Sequence, residues 1–167
     1  PEWSLSNVRL IFNGAEPIDA ALSEKFTADL AKFGLKSNVM FPVYGLAEAT
    51  LGVTFPPAGR HLKTIFVNRD HLGIGAEVDV QPHGLQFVAL GRPIHDMDVD
   101  ITLNGQLCGE MVIGDIEIRG GSVTKGYFND PDKTAATIST DGWLKTGDLG
   151  FFKDGELYVT GRSKDLI

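Results

Sequence analysis

Apolar positions recur along this chain in two rhythms. Val8–Phe12 (VRLIF) is a short apolar run with a β-branched character, and it predicts a buried strand. Asn13-Gly14 follows as a turn signal. Asp19 is placed to cap a helix, and Leu22, Phe26, Leu30 and Phe33 then recur at spacings of four, four and three, which predicts one apolar helix face. Gly34 ends that helix as a left-handed cap. Val39–Tyr44 (VMFPVY) predicts a second strand, although Pro42 removes a ladder donor. Strand, helix, strand is one parallel crossover unit. Parallel sheets are buried on both faces, so this unit implies further strands beyond it.

The rhythm changes after Pro56-Pro57. Asp98–Leu103 alternates polar and apolar as a half-buried strand does, and Asn104-Gly105 is a strong hairpin turn. Ile113–Arg119, Trp143–Thr146 and Leu157–Gly161 predict further strands, with Asp154-Gly155 as a second hairpin signal. Asp130-Pro131 can open a short helix, with Asp as cap and Pro in the first turn. The expected fold is therefore α/β: a strand-helix-strand portion of a larger parallel sheet, then a mainly antiparallel β subdomain arranged as a distorted barrel.

Composition narrows the function classes. At 167 residues, with 43% hydrophobic and 22% charged positions, the chain has the balance of a globular domain. A net charge of -7 leaves no basic stripe for a nucleic acid, but one nucleotide needs only a few local donors. Cys108 is the sole cysteine, so no internal disulfide forms, which fits a reducing, cytoplasmic setting; a structural thiol is expected. His61, His71, His83 and His95 lack a tight metal spacing and are expected on surfaces or loops. No apolar run reaches the ~20 residues of a membrane span, and no signal-peptide pattern opens the chain. It starts at Pro1 and stops at Ile167 in an apolar stretch, so both ends read as cuts.

Candidate chemistry lies in five segments. In Asn13-Gly14-Ala15-Glu16-Pro17, small residues after a strand allow a ligand to approach the backbone; a plain strand-to-helix turn explains them as well. In Tyr44-Gly45-Leu46-Ala47-Glu48-Ala49-Thr50, Tyr44 can stack on a flat base and Glu48 can hold a hard cation. The bland alternative is a core tyrosine and a solvated glutamate. Gly114–Tyr127 (GDIEIRGGSVTKGY) is the longest segment. In Leu144-Lys145-Thr146-Gly147-Asp148, the aspartate is an acceptor suited to paired ribose hydroxyls, or merely a turn residue. In Gly161-Arg162-Ser163-Lys164-Asp165-Leu166-Ile167, Arg162 offers a fork of donors for hydroxyls or phosphate, or joins a surface ion pair.

Taken in order, the five segments resemble the adenylate-forming superfamily of acyl- and aryl-CoA synthetases, luciferases and peptide-synthetase adenylation domains. The resemblance covers nearly the whole chain. It implies ATP-dependent formation of acyl-AMP and pyrophosphate from a carboxylic acid. It also implies that Gly14, Ala15 and Glu16 line the adenine with Tyr44 stacked on it, that Gly45 borders the acyl pocket, and that Glu48 ligates Mg²⁺. Asp148 would bind the ribose hydroxyls with help from Arg162, and Lys164 would fall at the hinge to a small C-terminal domain. The family's phosphate loop lies upstream and its catalytic lysine downstream of these segments. Hence no complete catalytic set is expected here, and the 167-residue chain alone is expected to be inactive. Lys125 and Lys145 are expected to be surface lysines.

Ala47 stands where most members have a threonine. The string Tyr44–Thr50, together with Asn13–Pro17 and Gly161–Ile167, is similar to fatty acyl-AMP ligases. The stretch Gly59–Gln86, containing Lys63–Leu72 (KTIFVNRDHL), resembles the insertion of those ligases. The implied organisation is 1–57 as part of the large adenylation domain, 58–86 as insertion, 87–160 as a β subdomain of that domain, and 161–167 as the start of the hinge. The implied substrates are a fatty acid and ATP, with an acyl carrier protein, or the polyketide or peptide synthase that carries it, as acceptor. The alternatives are a fatty acyl-CoA ligase, a peptide-synthetase adenylation domain, or a relic that keeps only nucleotide or partner binding.

Overall fold

The computed structural model describes residues 3–165. Strand β1 (Ile11–Asn13) pairs in parallel with β2 (Met40–Pro42), in the register Ile11 with Met40 and Asn13 with Pro42. Helix α1 (Ala20–Leu30) crosses between them. Its cap is Asp19, which accepts from the Leu22 amide at 2.9 Å; such a cap stabilises by about 1 kcal/mol. A 3-10 turn continues to Phe33, and Gly34 closes it at φ +87°. Pro42 is tolerated because it is the last residue of its strand.

Two expectations for this half are corrected. β1 is shorter than Val8–Phe12 and only partly covered, with Phe12 62% exposed. The apolar stripe of α1 also points outward: Leu22 is 65% and Phe26 44% exposed, whereas Ala20, Ser23 and Thr27 are buried. The inward face is small and semi-polar, and its hydroxyls are satisfied locally. Ser23 donates to the Asp19 carbonyl and accepts from Asn13, while Thr27 donates to the Glu24 carbonyl. Among the described residues, only the Asn13 hydrogen bond ties this face directly to β1, and periodicity alone does not foresee that a small, semi-polar face is the one covered. Phe12 meets Phe41 and Phe55 in an aromatic cluster, with centroids 5.0 and 6.1 Å away.

Short strand β3 (Thr54–Phe55) leads into a three-stranded antiparallel sheet of β4 (Thr64–Val67), β5 (Val80–Gln81) and β6 (Leu85–Val88), with β4 central. β7 (Arg92–Pro93) returns to pair with β3. The main sheet contains β8 (Met97–Leu103), β9 (Gln106–Leu107), β10 (Gly114–Gly120), β11 (Leu144–Lys153) and β12 (Glu156–Arg162), in the order β12-β11-β10-β8-β9. Its pairings are antiparallel, as the alternation predicts. Asn104 and Gly105 both take positive φ in the β8–β9 hairpin, and Asp154 and Gly155 do so between β11 and β12. α2 (Pro131–Thr137) is capped by Asp130, which accepts from the Lys133 amide at 3.0 Å.

The sheet stays open rather than closing into a barrel. Its far edge is β9, only two residues long and exposed, too short to pair with β12. One hydrophobic cluster joins Tyr44 and Val53 to Met97, Val99, Ile116, Ile118 and Leu144, so the two halves share a core. A second unites Ile65 and Val67 of β4 with Phe151 and Tyr158 of β11 and β12, whose rings stack at 5.2 Å. Among the described residues, no helix is long and apolar enough to cross a membrane.

Candidate functional site

The first two sequence segments lie side by side at the carboxyl ends of β1 and β2. The Val43 amide donates to the Asn13 carbonyl at 2.9 Å, and a Cβ on Gly14 would come within 2.7 Å of the Val43 carbonyl oxygen. Ala15 takes φ +71°, and Glu16 is exposed. Crossover geometry alone brings Asn13 and Gly14 against Val43, the residue before Tyr44.

From Tyr44 the chain makes a tight loop. The Tyr44 carbonyl accepts from the amides of Val53 and Thr54, which draws the two ends of the loop together. Inside it, Ala47–Ala49 form a single 3-10 turn. Gly45 is required by close approach: an added Cβ would lie 1.5 Å from the Leu51 carbonyl oxygen. Glu48 projects from the turn, half-buried.

Asp148, on β11, is 7% exposed and has a partner on each oxygen. Oδ2 accepts from the Tyr44 hydroxyl at 2.7 Å, and Oδ1 accepts from Arg162 Nε at 3.0 Å. Arg162 is the direct cross-strand partner of Asp148, so antiparallel register supplies the pair. Thr146 Oγ1 accepts from the Asp148 amide at 3.1 Å and donates to the Ile116 carbonyl at 2.8 Å, fixing the backbone beneath. Tyr44 is 8% exposed and belongs to the core, while its hydroxyl reaches the polar cluster. Burial first, and the Asp148 charge second, push the phenol far above its ordinary value, so it remains a protonated donor.

Glu48 has its own partners, which periodicity did not reveal. The Tyr127 hydroxyl donates to Glu48 Oε1 at 2.9 Å, and the Thr124 amide donates to the Glu48 carbonyl at 2.7 Å. Burial, then the Glu48 bond and charge, raise the Tyr127 phenol. The signal available in the sequence was Tyr127 itself, which closes the Gly114–Tyr127 segment. Among the described residues, no group of three or more His, Cys, Asp or Glu side chains forms a metal cage. A single half-buried carboxylate with one oxygen engaged fits Mg²⁺ held through that residue together with phosphate oxygens and water.

The remaining candidates lie apart. Lys164 is exposed in a 3-10 turn after β12, and Lys125 and Lys145 are exposed. Leu166 and Ile167, which complete the last segment, are outside the described residues. Cys108 is half-buried against the first cluster, and burial raises its thiol.

Residues 2–128 match the profile of the AMP-binding enzyme family. The chain is 34% identical to the long-chain-fatty-acid–AMP ligase FadD32 of Mycolicibacterium smegmatis, over 100% of this chain and 30% of that protein. It is 36% identical to the medium-chain-fatty-acid–[acyl-carrier-protein] ligase JamA of Moorena producens, over 98% of this chain and 30% of that protein. The crystal structure of a fatty acid AMP ligase from Legionella pneumophila superposes with a TM-score of 0.89 at 36% identity, covering 98% of this chain and 30% of the other. The chain thus spans about 30% of the length of the curated relatives it matches.

Proposed function

The chain belongs to the AMP-binding enzyme family, and on that premise we propose that the full-length protein joins a fatty acid to AMP, releasing pyrophosphate, and passes the acyl group to an acyl carrier protein. One observation carries the reading: Tyr44 and Arg162 converge on the two oxygens of Asp148, and Tyr44 opens the loop that holds Glu48.

In this reading, a carboxylate oxygen of the fatty acid attacks the α-phosphorus of ATP. The bond from that phosphorus to pyrophosphate breaks, leaving acyl-AMP. Asp148 accepts from the ribose hydroxyls. A carboxylate offers about four acceptor positions, so the donors already present leave room for both. Arg162 holds Asp148 from the solvent side. Gly14, Ala15 and Glu16 line the adenine with Tyr44 against it, and Gly45 borders the acyl pocket. Glu48, with one oxygen engaged by Tyr127, would hold Mg²⁺, which would supply positive charge at the phosphates. Ala47 contributes no hydroxyl there, and Lys164 opens the hinge to the small domain.

Residues 1–57 and 87–160 then belong to one large domain, with 58–86 as an insertion that restrains the rotation needed for CoA transfer. Its anchoring favours this role. Ile65 and Val67 are buried, and Arg60 and Lys63 both bind the buried Glu156 of β12. Two such side chains contribute roughly 3–6 kcal/mol before ordering costs, enough to bias domain states that differ by a few kcal/mol. JamA, whose name includes an acyl-carrier-protein acceptor, supports the choice of acceptor.

Pyrophosphate exchange by the full-length protein with a series of fatty acids, with CoA and carrier protein offered as acceptors, tests the reading. Exchange without acyl-CoA, and acyl-CoA formation after deletion of 59–86, are expected. Efficient acyl-CoA formation by the intact protein would replace it with the CoA-ligase alternative. The 167-residue chain alone should make no acyl-AMP.

A further inference from the structure

Three hydrogen bonds tie the segment 122–127 to the 3-10 turn that carries Glu48. Thr50 Oγ1 donates to the Ser122 carbonyl at 2.8 Å, the Thr124 amide donates to the Glu48 carbonyl at 2.7 Å, and the Tyr127 hydroxyl donates to Glu48 Oε1 at 2.9 Å. The first two already brace the backbone of the turn. The third acts on the carboxylate alone. An unrestrained glutamate side chain samples many rotamers, and a hydrogen bond to one oxygen selects among them while leaving the other oxygen available.

The tyrosine is itself held in place from the opposite side. Its amide donates to Thr134 Oγ1 of α2 at 2.9 Å, and Lys133 Nζ lies 4.0 Å from its ring centroid. Gly126, immediately before it, takes φ +152°, and an added Cβ would lie 2.7 Å from Thr134 Cγ2. Only glycine fits that backbone and that contact. The Gly126-Tyr127 pair therefore docks on α2 and delivers a hydroxyl to Glu48 from an element far away in sequence.

We propose that Tyr127 is a positioning residue for Glu48: its hydroxyl fixes the carboxylate rotamer that presents the second oxygen to the Mg²⁺ of the bound nucleotide. This rests on the reading of Glu48 as the metal-holding carboxylate. Removing the hydroxyl while keeping the ring leaves the Lys133 and Thr134 contacts intact. The hydroxyl's other neighbour is the Thr137 side chain at the end of α2, so the consequence falls mainly on the metal, with acid substrate and fold little affected.

The test uses the full-length protein with α,β-methylene ATP, which cannot be cleaved to AMP, and Mn²⁺ as a paramagnetic stand-in for Mg²⁺. Free Mn²⁺ is followed by electron paramagnetic resonance, and thermal unfolding is measured alongside. Tyr127→Phe is expected to weaken Mn²⁺ binding in the nucleotide complex about three- to thirtyfold, at or below the low end of the range for one hydrogen bond to a charged group because the hydroxyl acts on the ion only through Glu48, with Tm nearly unchanged. Glu48→Gln should weaken it at least as much, and adding Tyr127→Phe to Glu48→Gln should have little further effect. Thr50→Val, which loosens only the brace, should lower Tm and leave Mn²⁺ affinity alone. If Tyr127→Phe behaves like Thr50→Val, Tyr127 is a brace and the proposal is overturned. If Glu48→Gln leaves Mn²⁺ affinity unchanged, the reading of Glu48 itself falls, which is a separate result.

Discussion

The Tyr44 hydroxyl donates to Asp148 Oδ2 at 2.7 Å, joining residues 104 positions apart in the chain. One comes from the crossover half and the other from the antiparallel half. The bond ties the loop after β2 to β11 and sets the orientation of the carboxylate. Its energetic weight is high because both side chains are nearly buried.

Asp148→Ala in the full-length protein should raise KM for ATP about ten- to a hundredfold, the range for lost hydrogen bonds to a charged group, with a smaller change in kcat. The split is expected because the ribose is held equally in ground and transition states. Steady-state kinetics with varied ATP checks it. Unchanged ATP affinity would remove Asp148 from the site.

Tyr44→Phe removes the donor but leaves Arg162 on Asp148. Stability in urea should fall by about 1–2 kcal/mol, since a nearly buried carboxylate loses one of two partners. KM for ATP should rise less than in Asp148→Ala. An equal or larger rise would mean that the hydroxyl, rather than the carboxylate, meets the nucleotide.

Gly45→Ala is expected to destabilise by about 3 kcal/mol or more, because its Cβ would lie 1.5 Å from the Leu51 carbonyl and the whole loop must open. Gly121→Ala meets nothing within 4 Å and should stay within about 0.5 kcal/mol of the parent. Denaturant titration of the pair separates steric need from a general cost of replacing glycine.

The Glu156 cluster gives a pH signature. Burial opposes ionisation of this carboxyl, but the bonds from Lys63 and Arg60 outweigh burial and hold it below its ordinary 4.5. A carboxyl depressed on folding contributes stability that is full above its unfolded value and is lost as pH falls through its folded value. Wild type should therefore exceed Glu156→Gln by roughly 1–2 kcal/mol at pH near 6, the gain being limited by the partial exposure of both cations. That difference should shrink toward pH 3. Urea unfolding at several pH values measures it, and a difference that does not change with pH would show that the ion pairs contribute nothing.

Much of the architecture was legible because it is written locally. Asp19 and Asp130 announce helix caps, and Asn104-Gly105 and Asp154-Gly155 announce hairpins, through interactions spanning four residues or fewer. The alternation in Asp98–Leu103 places Val99 and Ile101 in the core, but it breaks at the hairpin, where Thr102 is buried and Leu103 only half-buried. The α1 stripe misled because periodicity reports that a face is apolar, not which neighbour covers it. In this chain Ala20, Ser23 and Thr27 face inward instead. The barrel expectation failed for a related reason: closure depends on the length of an edge strand, and β9 has only two residues.

The sequence by itself determined the two helices, the two hairpins and most strands of the main sheet, the family resemblance and the identity of the polar side chains proposed for the site, since each depends on residue type and short spacing; the short strands β3 to β7 emerged only in the structure. The tertiary structure decided which of those side chains meet. No local pattern pairs Tyr44 with Asp148, or Tyr127 with Glu48, because these contacts span 104 and 79 residues and arise from how the antiparallel sheet docks on the crossover unit. Arg162 is the intermediate case: a hairpin read from Asp154-Gly155 brings it toward Asp148, but the bulge between Leu149 and Gly150 sets the final register. Hydrogen bonds act over about 3 Å, so their partners are fixed only when packing has fixed the backbone to that tolerance.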